Sequence, residues 1–225
     1  MSMMNMSIHA FSSLDLISCA KLVSNNNVKI LIRASEILKD KIMRKKCSYD
    51  EITTTLLKIK SETSQNYLCT WRPKFCLDIF IYFPSDGNVI IGIPMYGPEI
   101  KNQIVVDIQY SHTQSLLTLD LKDVVFFGHL TCDKQENGIS TMVILLYDLL
   151  LEKNHEMDVV DRYKELMSMR DVLSDINIGE TCMRVQWAGV PDAFDKISQI
   201  LLPHEIQDIV LFDKDNSYAR FDLFN

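Results

Sequence analysis

Residues 124–154 read VVFFGHLTCDKQENGISTMVILLYDLLLEKN. An apolar run over 124–132 meets a polar turn, and a second apolar run over 140–150 carries Tyr147-Asp148 towards its end. This pattern predicts a strand, a hairpin turn and a second strand. The first strand holds Phe127 and His129 around Gly128, where a catalytic hairpin would carry acids. Whatever this chain folds into must be built around that hairpin, and its chemistry must accommodate those two side chains.

The rest of the composition narrows the function classes. The chain has 225 residues, enough for one large domain or one domain with a helical appendage, and 47% of them are apolar. That is enough apolar side chain to offset chain entropy, so a packed protein is expected rather than a disordered one. The formal charge of −7 excludes a global basic field for nucleic acid, although a local basic patch stays open. The six cysteines, Cys19, Cys47, Cys69, Cys76, Cys132 and Cys182, form no CxxC and no Cys/His pair at zinc-ligand spacing. They read as buried, reduced thiols, with no metal site expected, and they place the chain in a reducing intracellular compartment, cytoplasm or nucleus. The stretch MSMMNMSIHAFSS lacks the basic and apolar regions of a secretory leader. No run approaches about 20 uncharged apolar residues, so no membrane partner is expected. With 7 glycines there is no glycine-rich phosphate loop.

Along the chain, residues 12–63 read as helices. Ser12-Ser13-Leu14-Asp15 caps a first helix ending near Asn25-Asn26-Asn27. VKILIRASEILKDKIMRKK places Ile30, Ala34, Ile37, Leu38, Lys41 and Ile42 near one face and ends in the basic Arg44-Lys45-Lys46, which complement a helix dipole or contact a phosphate. Ser48-Tyr49-Asp50-Glu51 fits the capping box of a third helix. After Gln65-Asn66 the pattern turns to strands: 67–83, a Pro84-Ser85-Asp86-Gly87 turn, 88–95, 103–110, 115–121, then the hairpin. A helix follows over 161–173, a strand over 182–188, a helix over 192–201 stopped before Pro203, and strands over 208–214 and 218–224. The expected fold class is α+β: a helical arm over 1–66, followed by an antiparallel-sheet domain over 67–225.

Four segments of that second region carry a resemblance. PKFCLDIFIYFPSDGNVII resembles a strand bearing the motif K-x-D-G-x-R. FFGHL sits where the same proteins read D-G-E-L. VILLYDLLLEKN with VDRYKEL resembles their F-x-x-[FY]-D-[IVL]-L strand and following helix. KISQILLPHEIQDIVLF resembles their helix followed by D-G-[LIV]-[IV]-F. The order and spacing resemble the nucleotidyltransferase fold of mRNA capping guanylyltransferases and polynucleotide ligases, and its non-catalytic version in the cap-binding domain of snurportin. The resemblance covers roughly 67–225, without the OB-fold domain that closes over the nucleotide in catalytic members. It also implies a viral origin, since modules of this kind are common in large DNA viruses.

The departures from the motifs matter more than the matches. Lys74 falls at the nucleophile position, but Cys76-Leu77 replace its Asp-Gly and Ile79 replaces its arginine. Phe127 and His129 replace the acids of the second motif. Asp148 and Asp208 match acids of the third and fourth, with Ile209 in place of the last glycine. Phosphoryl transfer depends on positioning and on charge stabilisation. Removing one such group costs on the order of 100- to 1000-fold in rate, and several are missing together. The expectation is therefore a non-catalytic, capping-enzyme-like module. It would bind a nucleotide, an mRNA cap or RNA, or scaffold an RNA-processing or transcription complex, with a protein partner docked on the helical arm.

Candidate ligand-binding residues are Lys74, Trp71, His129, Asp148, Trp187 and Asp208. Trp71 and Trp187 adjoin Arg72-Pro73 and Ala188-Gly189, and would stack on a base or serve as packing residues. The alternative readings are a hydrogen-bonded core histidine for His129, a solvated strand-end lysine for Lys74, a turn cap for Asp148, and solvated helix positions for Arg162 and Arg170. No cofactor is expected. A divergent guanylyltransferase, with Lys74 as nucleophile and GTP and magnesium as co-reactants, and a purely structural subunit are the alternatives.

Overall fold

The computed structural model describes residues 25–45, 68–84, 89–92, 105–108, 111–112, 121–152, 155–156, 159–178, 181–186, 202–212 and 218–222. The helices expected over 12–24, 48–60 and 192–201, most of the strand over 115–121, and Trp187 lie outside these residues. The described chain is mixed α+β and mostly strand.

The hairpin is present, and longer than its apolar runs suggest. Strand β7 (Val124–Lys134) pairs antiparallel with β8 (Ser140–Glu152) from Val124↔Glu152 to Lys134↔Ser140. In the turn, Gly138 has φ of +80°, a conformation that glycine adopts without steric cost, and its N–H donates to Gln135 O at 2.9 Å.

On the other side of β7 lie β3 (Cys76–Phe83), β4 (Val89–Gly92) and β5 (Val105–Ile108). Beyond β8 come β11 (Thr181–Val185), parallel to it, then β10 (Ile176–Ile178) and β6 (Ser111–His112). The two-residue β9 (His155–Glu156) also pairs with β8. A second, four-stranded sheet runs in the order β1 (Ile42–Lys45), β13 (Tyr218–Asp222), β12 (Ile206–Phe212), β2 (Leu68–Pro73).

Three local expectations change. The strand expected over 67–83 is two strands in different sheets, with the break at Lys74-Phe75. Pro73 has no N–H to continue a ladder, and the Lys74 N–H leaves for Glu205 O at 2.8 Å. The asparagines expected to end a helix begin one, α1 (Asn25–Lys41). That helix stops before the basic cluster: Ile42–Lys45 pairs in parallel with β13, so Arg44 and Lys45 lie on a strand rather than in a last helical turn. Pairing to β13 supplies backbone partners that a helix end lacks.

The large sheet is covered on both faces. Ile79, Ile81, Val124, Phe126, Ile144 and Leu146 pack against Leu166 of α2 (Val159–Ser168), Leu173 of α3 (Arg170–Ser174), and Met169 between them. The alternating residues Phe80, Tyr82, Val125, Phe127 and Tyr147 face the other way, against Leu31, Ala34 and Leu38 of α1 and Val210 of β12. Helix α1 is thus part of the main core. No described helix is long and apolar enough to cross a membrane.

Gly128 sits where the β7–β8 register shifts. A Cβ there would meet backbone: Leu145 O, Leu145 C at 3.1 Å and Leu146 Cα at 3.2 Å. This close strand approach, rather than turn geometry, explains the glycine in FFGHL. Gly128→Ala is expected to destabilise the fold by about 1–3 kcal/mol, read as a lower urea midpoint at unchanged slope.

Candidate functional site

Strand register builds the first polar cluster. Asp78 of β3 lies directly opposite His129 of β7, and Asp208 of β12 opposite Arg72 of β2. His129 Nδ1 is 3.0 Å from Asp78 Oδ1. Arg72 donates to the same oxygen from Nε at 3.3 Å and Nη2 at 3.2 Å, and to Gln207 Oε1 from Nη1 at 3.0 Å. Arg72 Nη1 is 3.8 Å from Asp208 Oδ2. The His129 ring has no exposed surface; it stacks on Tyr147 at 4.5 Å between centroids and meets Phe127 edge-on at 6.1 Å. Phe127 is also fully buried, against Phe80 and Tyr147. Charged groups are taken from water here only because each has an opposite charge or donor beside it.

A second polar chain ties the two sheets together. The Trp71 indole N–H donates to His204 Nε2 at 3.0 Å, and His204 Nδ1 is 2.8 Å from Asp133 Oδ1. Indole is a donor only, so this geometry places the imidazole proton on Nδ1, facing the carboxylate. Arg184 Nη1 completes the chain at 2.9 Å from Asp133 Oδ2. Beside it, buried Gln186 donates to Thr70 Oγ1 at 2.8 Å and to the Trp71 carbonyl. Trp71 is 6% exposed, so little of its face is available to a base.

The remaining candidates lie apart. Lys74 is at the surface bend, where its Nζ is 2.8 Å from Glu205 Oε2. That hydrogen bond and the lysine charge hold the Glu205 carboxyl below its ordinary pKa. Asp148 is no turn cap: it lies within β8, accepts from Leu149 N–H at 2.8 Å, and its Oδ1 is 2.9 Å from Arg162 Nε. Arg162 is not solvated either. It is completely buried on the α2 side of the sheet, while Arg170 is exposed. The spacing Arg162, Leu166, Met169, Leu173 follows a helical stripe, and that periodicity is the sequence signal that Arg162 points inward.

The structure therefore brings His129 and Asp208 together through Arg72 and Asp78. It leaves Lys74 at the rim and Asp148 with the helix layer. Arg72, Asp78, Asp133, His204 and Gln186 were not anticipated as site residues, although a lone Asp inside the apolar run CLDIFIYF marks a paired charge. Another juxtaposition comes from register alone: Cys76, Asp78 and His129 each offer a donor atom within 4.8 Å of the other two. None of the four described cysteines is in a disulfide, and they are not uniformly buried: Cys69 is, Cys76 and Cys182 are half-buried, and Cys132 is exposed. Burial pushes the Cys69 thiol up to about 12. In comparisons with known proteins, no family model and no curated sequence matches this chain.

Two outcomes follow from these pairs. Removing one partner of the buried Asp148–Arg162 pair, as in Arg162→Met, is expected to cost about 3–5 kcal/mol in chemical denaturation, with most of it regained in the double variant Arg162→Met/Asp148→Leu. For Glu205, a depressed carboxyl pKa contributes stability above the unfolded-state pKa, lost as pH falls through the folded one. Lys74→Ala should raise the Glu205 titration midpoint in an NMR pH series towards that of an ordinary glutamate.

Proposed function

We propose that this chain is a degenerate nucleotidyltransferase-like module that serves as a non-catalytic interaction subunit of an RNA-processing or transcription complex. The kinship rests on four motif-like segments, and their adjacency supports it. The first three lie on neighbouring strands β3, β7 and β8, and the fourth, on β12, pairs with β2.

The observation that carries the non-catalytic reading is the engagement of the motif-position side chains with separate partners inside the chain. Asp148 is held by Arg162, His129 lies against Asp78, Lys74 pairs with Glu205, and Phe127 fills the space between β3 and β8. A transferase of this kind needs its amine, its metal-binding acids and its cationic groups directed at one phosphate. Here the lysine is at the rim and Asp148 belongs to the opposite face of the sheet. An ancestral scaffold whose charges have been redirected inward retains rigid surfaces, which suits an assembly role.

The test is incubation of the full chain with α-labelled GTP and magnesium or manganese, beside titration with GTP and a methylated cap analogue followed by calorimetry. No covalent adduct and no heat of binding are expected. An adduct that disappears in Lys74→Ala would establish the guanylyltransferase instead. Saturable cap or nucleotide binding would replace the scaffold with a ligand-binding module.

A further inference from the structure

We infer that Cys76, Asp78 and His129 form a binding site for a divalent transition-metal ion of the zinc class. Their donor atoms, a sulfur, a carboxylate oxygen and an imidazole nitrogen, all lie within 4.8 Å of one another. Ligands around a tetrahedral zinc, at metal–donor distances of about 2.0–2.3 Å, are about 3.3–3.8 Å apart. Closing the set therefore takes about an ångström of side-chain adjustment.

The placement is set by strand geometry. Cys76 and Asp78 are two residues apart on β3 and so share a face, and His129 lies directly across from Asp78 on β7. The β3–β7 ladder continues from Cys76↔Thr131 to Phe83↔Val124, so its backbone fixes all three positions before any ion binds.

The surroundings match what a metal site needs beyond its ligands. Arg72 holds Asp78 Oδ1 at 3.2 Å, an outer hydrogen bond of the kind that orients a ligating carboxylate. The Tyr147 ring, inclined by 29°, packs on the His129 imidazole and limits its movement. Asp208 beside Arg72 offsets the guanidinium charge that would otherwise oppose a cation. Access is from one end: Asp78 and His129 are buried, whereas Cys76 is half-buried next to the exposed Lys74-Phe75 bend.

The donor set selects the ion. Thiolate with imidazole favours zinc, and disfavours magnesium and calcium, which take oxygen ligands. Three protein ligands leave a fourth position for water or a partner's side chain. Binding proceeds with loss of the Cys76 thiol proton to solvent as the metal–sulfur bond forms, so affinity rises with pH. The site does not depend on the interaction-subunit reading and would stand if that reading failed.

The experiment uses the full chain stripped of metal with a chelator, titrated with cobalt(II) and then zinc. One equivalent of cobalt should give a thiolate-to-cobalt charge-transfer band that zinc abolishes. Cys76→Ser should lose the band and weaken zinc binding by more than about tenfold, with an unchanged far-ultraviolet circular dichroism spectrum. Cys132→Ser, which removes the exposed thiol on β7, should keep both. Asp78→Asn should keep the sulfur band while weakening zinc; if that variant does not fold, Cys76→Ser decides alone. Absence of a band at one equivalent, a band that survives Cys76→Ser, or one lost with Cys132→Ser would overturn the assignment.

Discussion

Strands β7 and β8 are covered on both faces, and the rest of the structure follows from that burial. From Val124 to Leu130, and again from Val143 to Leu151, every residue is buried. A strand in that position has no solvent side on which to keep a polar group. Each charge or imidazole it carries must find a partner inside the protein or cost several kcal/mol. His129 and Asp148 are such groups, and Asp133, buried just beyond the first run, is another; each anchors a polar contact reaching another element: β3, α2 and the approach to β12 respectively.

These contacts also specify how the layers meet. Hydrophobic packing between Phe127, Tyr147 and Leu31 is tolerant of small displacements. The chain from Trp71 through His204 and Asp133 to Arg184 is not, because each member requires a fixed distance and a fixed proton. Together with Gln186 on Thr70 and the Arg72–Asp78 pair, it sets the small sheet against the large one. Polar residues at these positions therefore serve as structural ties between the two sheets.

Much of the fold was legible in the sequence. The hairpin was visible because two long apolar runs flank a polar, glycine-containing turn. The helix after Val159 was visible from its apolar period, and β12 from DIVLF. The missed features have definite physical causes. Pro73 looked like a residue inside one strand, but without an N–H it marks the change of sheet. Ile42–Lys45 continued a helical period, but pairing with β13 outweighed that weak local preference. Charge alone puts Arg162 in solvent, whereas its spacing with Leu166 and Leu173 puts it on the buried stripe.

The candidate site divides in the same way. Residue types and their order along the chain place Phe127 and His129 in the first strand of the hairpin and mark the polar residues that its apolar runs carry. Only the tertiary structure decided what the surviving polar groups do. Strand pairing sets Asp78 opposite His129 across 51 positions of sequence and brings Arg72 to Asp208 across 136. The physical reason is register. Alternation along a strand is written locally, whereas the identity of the residue across the ladder depends on how bulges, turns and facing layers align two distant segments.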